Sequence, residues 1–117
     1  MATKTLFKRI IDREIPADIV YEDDRSLAFR DINPQASTHV LVIPKGAYVG
    51  WDDFTARASS DEIAGFVRAV GHVAREHGLV EPGYRLLVNL GQDGGQEIPH
   101  LHVHLFAGKP LGPMIAR

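Results

Sequence analysis

Three of the chain's six histidines stand at alternate positions near its end, in the run HLHVHLF at residues 100–106. Side chains of a strand alternate between its two faces, so His100, His102 and His104 would form one row and Leu101, Val103 and Leu105 the other. Neighbouring rings in such a row would stand about 6.6 Å apart along the strand. The apolar set is explained as core; the imidazole row calls for a chemical reason.

Three readings account for it. Alternate histidines can share a zinc ion, which needs nitrogen ligands about 2.0–2.1 Å away. The outer pair spans roughly 13 Å of strand, so closure of all three rings on one ion is strained; His39 or Glu97 would be the extra ligands, since the chain has no cysteine. The second reading is a polar sheet face that uses histidine. The third is acid–base or covalent chemistry on a phosphate. Imidazole titrates near pH ~6.5, so both forms coexist at neutral pH. A neutral nitrogen can attack phosphorus while a neighbouring ring donates to oxygen. The preceding DGGQ at 93–96 supplies glycines that let backbone N–H groups approach an anion. This third reading uses the most of the local sequence.

The remaining chain must position that row. At 117 residues with 44% hydrophobic and 24% charged residues it reads as a single domain, residues 1–117, with one modest core. A formal net charge of −2 gives no basic footprint for nucleic acid, so a phosphate would be held by local donors. The absence of cysteine excludes a disulfide framework and fits a reducing compartment. The N-terminal segment carries Lys8, Arg9, Asp12 and Arg13 among its apolar residues, unlike a signal peptide, and no apolar run is long enough for a bilayer. A cytoplasmic protein without membrane contact is expected.

Leu6, Phe7, Ile10 and Ile11 have helical spacing, and Pro16 sets a limit to that helix. DIVYEDD and SLAFRDI read as short strands around the turn Asp23-Asp24-Arg25, followed by the loop NPQAS and the strand THVLVIPK. GAYVGWDDF reads as a loop with aromatic anchors, Trp51 among them as a packing residue or a dimer contact. Ser59 and Glu62 form a capping box for one long helix, with apolar positions Ile63, Phe66, Val67, Val70, Val73 and Ala74, ending near His77 and Gly78. YRLLVNL and HLHVHLFAG are strands around the glycine-rich turn GQDGGQEIP, and the tail LGPMIAR is irregular. No chemistry attaches to His72 or His77. Helix, three strands, helix and two strands imply an α+β domain with an antiparallel sheet.

HLHVHLF fits the His-φ-His-φ-His-φ-φ signature of the histidine triad superfamily of nucleotide hydrolases and transferases. EIPADIVYEDDRSLAFRDINPQASTHVLVIPK and YRLLVNLGQDGGQ resemble its nucleotide-binding protein branch, and PLGPM resembles the bacterial members. The likeness runs from about Leu6 to Met114. It implies five antiparallel strands with two helices, joined in a homodimer into a continuous ten-stranded sheet. The long helix and the strand around Arg85 would meet the partner, with Gly65 and Gly71 either allowing close approach or simply tolerated in an ordinary helix.

It also implies a purine nucleoside phosphoramidate hydrolase that needs no cofactor and no metal. His102 would attack the α-phosphate, giving a nucleotidyl-imidazole that water hydrolyses to AMP or GMP. His104 would donate to the phosphoryl oxygens, and His100 would orient the nucleophile, through its backbone carbonyl among other routes. His39 would complete the network, or be simply a satisfied, partly buried histidine. Asp31 matches the ribose-binding carboxylate, although an Asp also suits the turn before Asn33-Pro34. Leu6, Phe7, Ile10, Phe29, Ile32 and Leu41 match an apolar clamp around the base, for which core packing is the alternative. Asn89, Gly95, Gln96 and the backbone N–H of Glu97 would line the phosphate. Some relatives carry serine at position 97, so this carboxylate must point away, be protonated or act as an acid toward the leaving group. Arg30 is expected to lie in solvent. Dinucleoside polyphosphate hydrolysis, nucleotidyl transfer and a nucleotide-binding interaction role are the alternatives.

Overall fold

The structure is a computed structural model describing residues 3–115. Nine elements follow in order: α1 (Leu6–Ile11), β1 (Ile19–Glu22), β2 (Ser26–Arg30), β3 (Thr38–Pro44), α2 (Trp51–Arg57), α3 (Ser60–Glu76), β4 (Arg85–Val88), α4 (Gly91–Gly94) and β5 (Val103–Ala107). The strands form one antiparallel sheet in the order β1-β2-β3-β5-β4. No described helix is long and apolar enough to cross a membrane.

The period of two along β2 and β3 divides the apolar residues between the sheet's faces. Ala28, Val40, Val42, Val103 and Leu105 pack with Phe66, Val70, Val73 and Ala74 of α3. Leu27, Phe29, Leu41 and Ile43 pack with Phe7 and Ile10 of α1 on the opposite face. Helix α1 begins where the Thr5 hydroxyl accepts the Lys8 N–H at 3.1 Å. Helix α3 has the reciprocal Ser59–Glu62 cap its sequence implies, and Gly78 follows it with a left-handed φ of 68°. Because α1 is short, it covers β2 and part of β3 and leaves the β3–β5 end of that face open for polar side chains.

Four expectations change. The structure has four helices instead of two. GAYVGWDDF is not a plain loop: the Asp53 carboxylate accepts the Val49 and Gly50 N–H groups at 2.9 and 2.8 Å and nucleates α2. Phe54, 1% exposed, is the anchor of that segment, whereas Trp51 is 44% exposed. The glycine-rich turn contains the single helical turn α4, closed by Gly95 at φ 77°. Finally, β5 begins at Val103 and not at His100. The Leu101 N–H donates to Tyr48 C=O, and β3 ends on Pro44, which has no N–H for a ladder.

Gly65 on α3 faces the Arg25 side chain of the same chain, so the close approach it permits is internal. The LGPMIAR tail has no helix or strand through Ile115, and its last two residues lie outside the described ones. Arg85 donates to the Gly112 and Pro113 carbonyls at 2.9 and 3.2 Å and ties that tail to β4.

Candidate active site

A cavity of about 560 Å³ opens between α1, the ends of β2 and β3, the α4 turn and the approach to β5. His39, His102 and His104 line it. Their hydrogen bonds assign a proton to each ring. A backbone N–H can only donate, and that of Gln35 points at His39 Nδ1 over 3.1 Å. Neutral His39 therefore carries its proton on Nε2, which lies 2.9 Å from His104 Nδ1. That bond makes His104 Nδ1 the acceptor, leaving the His104 proton on Nε2. Burial lowers the pKa of His39, against an opposing pull from Asp31. His104 is pushed down to about 4, chiefly by burial and then by His102 and His39. Both rings are thus neutral at ordinary pH, and His104 offers an uncharged N–H.

His102 has the complementary arrangement. Its Nδ1 lies 2.8 Å from the His100 carbonyl, an acceptor only, so the proton sits on Nδ1 and Nε2 keeps its lone pair. The ring is 7% exposed and lines the cavity. His100 does not line it. Its Nε2–H donates to Pro44 C=O at 2.8 Å, and burial lowers its pKa. The carbonyl, rather than the ring, of His100 meets His102.

The four rings are closer and more varied than a simple row. His102 and His104 have centroids 4.9 Å apart at 66°, and Phe7 meets His102 edge-on at 4.9 Å. Leu6, Phe7, Ile10, Phe29, Ile32 and Leu41 all line the cavity, giving it an apolar wall. Ile32 is 88% exposed and stands at its rim. Ile15, Pro16, Ala17 and Ile98 extend that wall. No periodicity marks these four, because they lie between elements.

Asp31 follows β2 and is held at both ends of the residue. Its N–H donates to His39 C=O at 3.0 Å, and its Oδ1 accepts the Asn33 N–H at 2.8 Å. The turn-capping and cavity-lining readings are therefore compatible: one carboxylate oxygen closes the turn while the residue borders the cavity. Arg30 also borders it, with its guanidinium 3.1 Å from Asp18. Its side chain is nonetheless exposed, as the sequence led us to expect.

At the other end, Asn89, Gly95 and Glu97 line the cavity. Asn89 Nδ2 donates to Gly94 C=O at 2.5 Å. Gln96 does not line it: its amide donates to Val49 C=O and Ile98 C=O at 2.6 and 3.0 Å, bracing the loop instead. The N–H groups of Gly95 and Gln96 close the turn onto Gln92 and Gly91. Glu97 is exposed and has no ion-pair partner among the described residues.

Asp31, His39 and His104 each bring one donor atom within 4.8 Å of the others. This differs from a set of adjacent triad histidines. A divalent ion of ordinary zinc geometry would have to replace the proton shared by His39 and His104. The sequence signal missed most completely is Gln35, whose backbone donor fixes the tautomer of His39 from a loop of unremarkable composition.

The HIT domain matches residues 12–111. The chain is 62% identical over 112 residues to an uncharacterised 13.2 kDa HIT-like protein of Azospirillum brasilense, covering 96% of this chain and 92% of that one. It is 47% identical over 116 residues to the purine nucleoside phosphoramidase of Escherichia coli K12, covering 99% and 97%. The structure superimposes on a HIT family hydrolase from Legionella pneumophila with a TM-score of 0.86 and 42% identity, over 93% of this chain and 96% of that one. Matched across nearly its whole length in sequence and fold, the chain belongs to the HIT family.

Proposed function

We propose that the protein is a hydrolase of purine nucleoside 5′-phosphoramidates, acting by covalent catalysis at His102. The observation that carries the proposal is the His102 Nδ1–H bond to the His100 carbonyl, which leaves Nε2 as a lone-pair nucleophile in the cavity. Hydrolase activity is supported by the family relatives, and the phosphoramidate bond by the similarity to the Escherichia coli enzyme.

In this reading the nucleotide places its base against Phe7, Phe29, Leu41 and Ile32. Apolar walls select a large flat base without reading its edge, so a purine preference with weak discrimination between adenine and guanine follows. Asp31 accepts from the ribose hydroxyls through the oxygen not engaged by Asn33. His102 Nε2 attacks the α-phosphorus, a P–N(imidazole) bond forms, and the P–N bond to the leaving amine breaks. The amine departs with a proton, for which Glu97, a carboxyl that lines the cavity, is the candidate donor. Neutral His104 donates Nε2–H to a non-bridging oxygen as negative charge develops there. Water then attacks phosphorus, releasing the nucleoside monophosphate and restoring His102.

The functional unit we infer is one domain of residues 1–117, acting in the cytoplasm as a homodimer. Strand β4 is a sheet edge, beside an apolar depression formed by Trp51, Val67, Val70, Leu86 and Val88. Pairing two such edges would extend the sheet to ten strands and cover Trp51, Val67 and Leu86, which are 44%, 56% and 46% exposed.

The test is turnover of adenosine 5′-phosphoramidate by the wild type and His102→Ala, each with and without a chelator. Activity that survives chelation and falls by about three orders of magnitude or more with the substitution is expected. Activity retained by the variant, or abolished by chelation, would remove the covalent imidazole from the account.

A further inference from the structure

Phe106 is placed where strand alternation calls for no apolar side chain. On β5 it shares the parity of His104, while Leu105 and Ala107 point into the core against α3. It belongs to neither buried apolar cluster and does not line the cavity. Its aromatic neighbours are imidazoles. Phe106 is the direct cross-strand partner of His39, and the two ring centroids lie 4.3 Å apart at 37°. It also lies parallel to His104, with centroids 5.5 Å apart and 2° between the planes. His39 and His104 are themselves 5.1 Å apart, so the three rings close a triangle.

A cation–π explanation fails, because Arg85, its partner on β4, directs its guanidinium to the Gly112 and Pro113 carbonyls. What Phe106 can do is exclude water from the His39–His104 pair. The 2.9 Å bond between these rings runs from His39 to His104 only while each keeps one tautomer. Water reaching the flank of either ring would offer it an alternative donor and acceptor, and both rings could then exchange tautomers.

We propose that Phe106 is a positioning residue for the reaction, an apolar cover that keeps the His39 Nε2–H···Nδ1 His104 bond in the one tautomer that leaves His104 an Nε2–H for the phosphoryl oxygen. The kinetic half of this inference rests on the hydrolase reading above; the structural half does not.

Phe106→Gln replaces the ring with a side chain of similar reach that hydrogen-bonds and admits water. Phe106→Leu retains an apolar cover and is the conservative rescue. Histidine ring nitrogens are read by NMR in the full-length protein labelled with ¹⁵N-histidine, without substrate. Turnover of adenosine 5′-phosphoramidate is measured in parallel. In Phe106→Gln the His39 and His104 signals are expected to change from one tautomer each to exchanging mixtures, with kcat down about tenfold and KM within about twofold. Phe106→Leu should keep wild-type signals and kcat within about threefold. A thermal melt of each variant separates these effects from loss of fold; if Phe106→Gln does not fold, Phe106→Ala takes its place. Wild-type signals and kcat in the polar or alanine variant would overturn the proposal, as would an equal loss in Phe106→Leu. If the wild type turns over no phosphoramidate while the ring signals shift as described, the substrate reading falls and the role of Phe106 stands.

Discussion

Acidification should destabilise this fold through its histidines before its carboxylates respond. His104 has its pKa pushed from 6.5 down to about 4, with burial as the first cause. A depressed folded value means that the unfolded chain binds this proton first. The associated stability is complete above pH 6.5, is lost as pH falls toward 4, and changes no further below both values. Between pH 7.5 and 5.0 that linkage amounts to about 2 kcal/mol for an unscreened shift. Because His104 is only partly buried, water reduces this to about 1–2 kcal/mol. His39 and His100 are shifted in the same direction, burial first, and add to the loss. Asp12, Asp23, Asp53, Glu22 and Glu62 are held below their ordinary values and bind protons only in more acidic solution.

Urea unfolding at the two pH values, at one protein concentration, measures the effect. With a slope of about 1–1.5 kcal/mol per molar urea for a chain of this size, His104 alone should move the midpoint by about 1 M. His104→Asn keeps a neutral polar side chain and removes the titration. Its midpoint should fall between pH 7.5 and 5.0 by about 1 M less than that of the wild type. Equal falls in both proteins would show that His104 is already protonated in the folded state at pH 5.0, and the tautomer chain derived from its hydrogen bonds would fail with it.

Two further outcomes concern the substrate ends of the cavity. Asp31→Ala should weaken kcat/KM for adenosine 5′-phosphoramidate by about 10–100-fold, as expected for loss of hydrogen bonds to a charged acceptor. The 2′-deoxy analogue should lose about tenfold less; equal losses would mean that the substitution acts through the Asn33 turn and not through the sugar. Glu97→Ser should slow release of basic alkylamines by about tenfold while sparing good leaving groups. A uniform effect across a leaving-group series would show that this carboxyl takes no part in proton transfer.

Much of the frame could be read from local rules. The Ser59–Glu62 box, the apolar stripe of α3 and the alternation in β2 and β3 each encode an element through contacts within a few residues. Helix α2 was hidden because Phe54 is its only buried residue, leaving no stripe to detect. Its stability comes from Asp53 satisfying two N–H groups, a three-dimensional fact with no periodicity. The cavity shows the same division. Residue types along the chain mark the apolar wall and the polar groups, whereas the assignment of each proton depends on backbone partners that no spacing rule picks out, Gln35 for His39 and Pro44 for His100. Gln96 resembles a phosphate ligand in sequence because it adjoins Gly95, yet its short amide reach is already occupied by two carbonyls.

The departure of the last strand from its expected start has a chemical consequence. In a regular antiparallel strand, carbonyls that point toward a neighbour accept its N–H groups. Had β5 begun at His100, alongside β3, the His100 carbonyl would have stood among those ladder groups. Instead residues 100–102 leave the sheet: Leu101 binds the Tyr48 carbonyl and the His100 ring binds Pro44. The His100 carbonyl is thereby available two residues back from His102, at 2.8 Å from Nδ1. Alternate spacing puts imidazoles together, but by itself leaves each neutral ring two tautomers. It is the irregular backbone just before the strand that fixes the proton of His102 on Nδ1 and leaves Nε2 its lone pair, and a rule of strand geometry breaks at this position and not in the core.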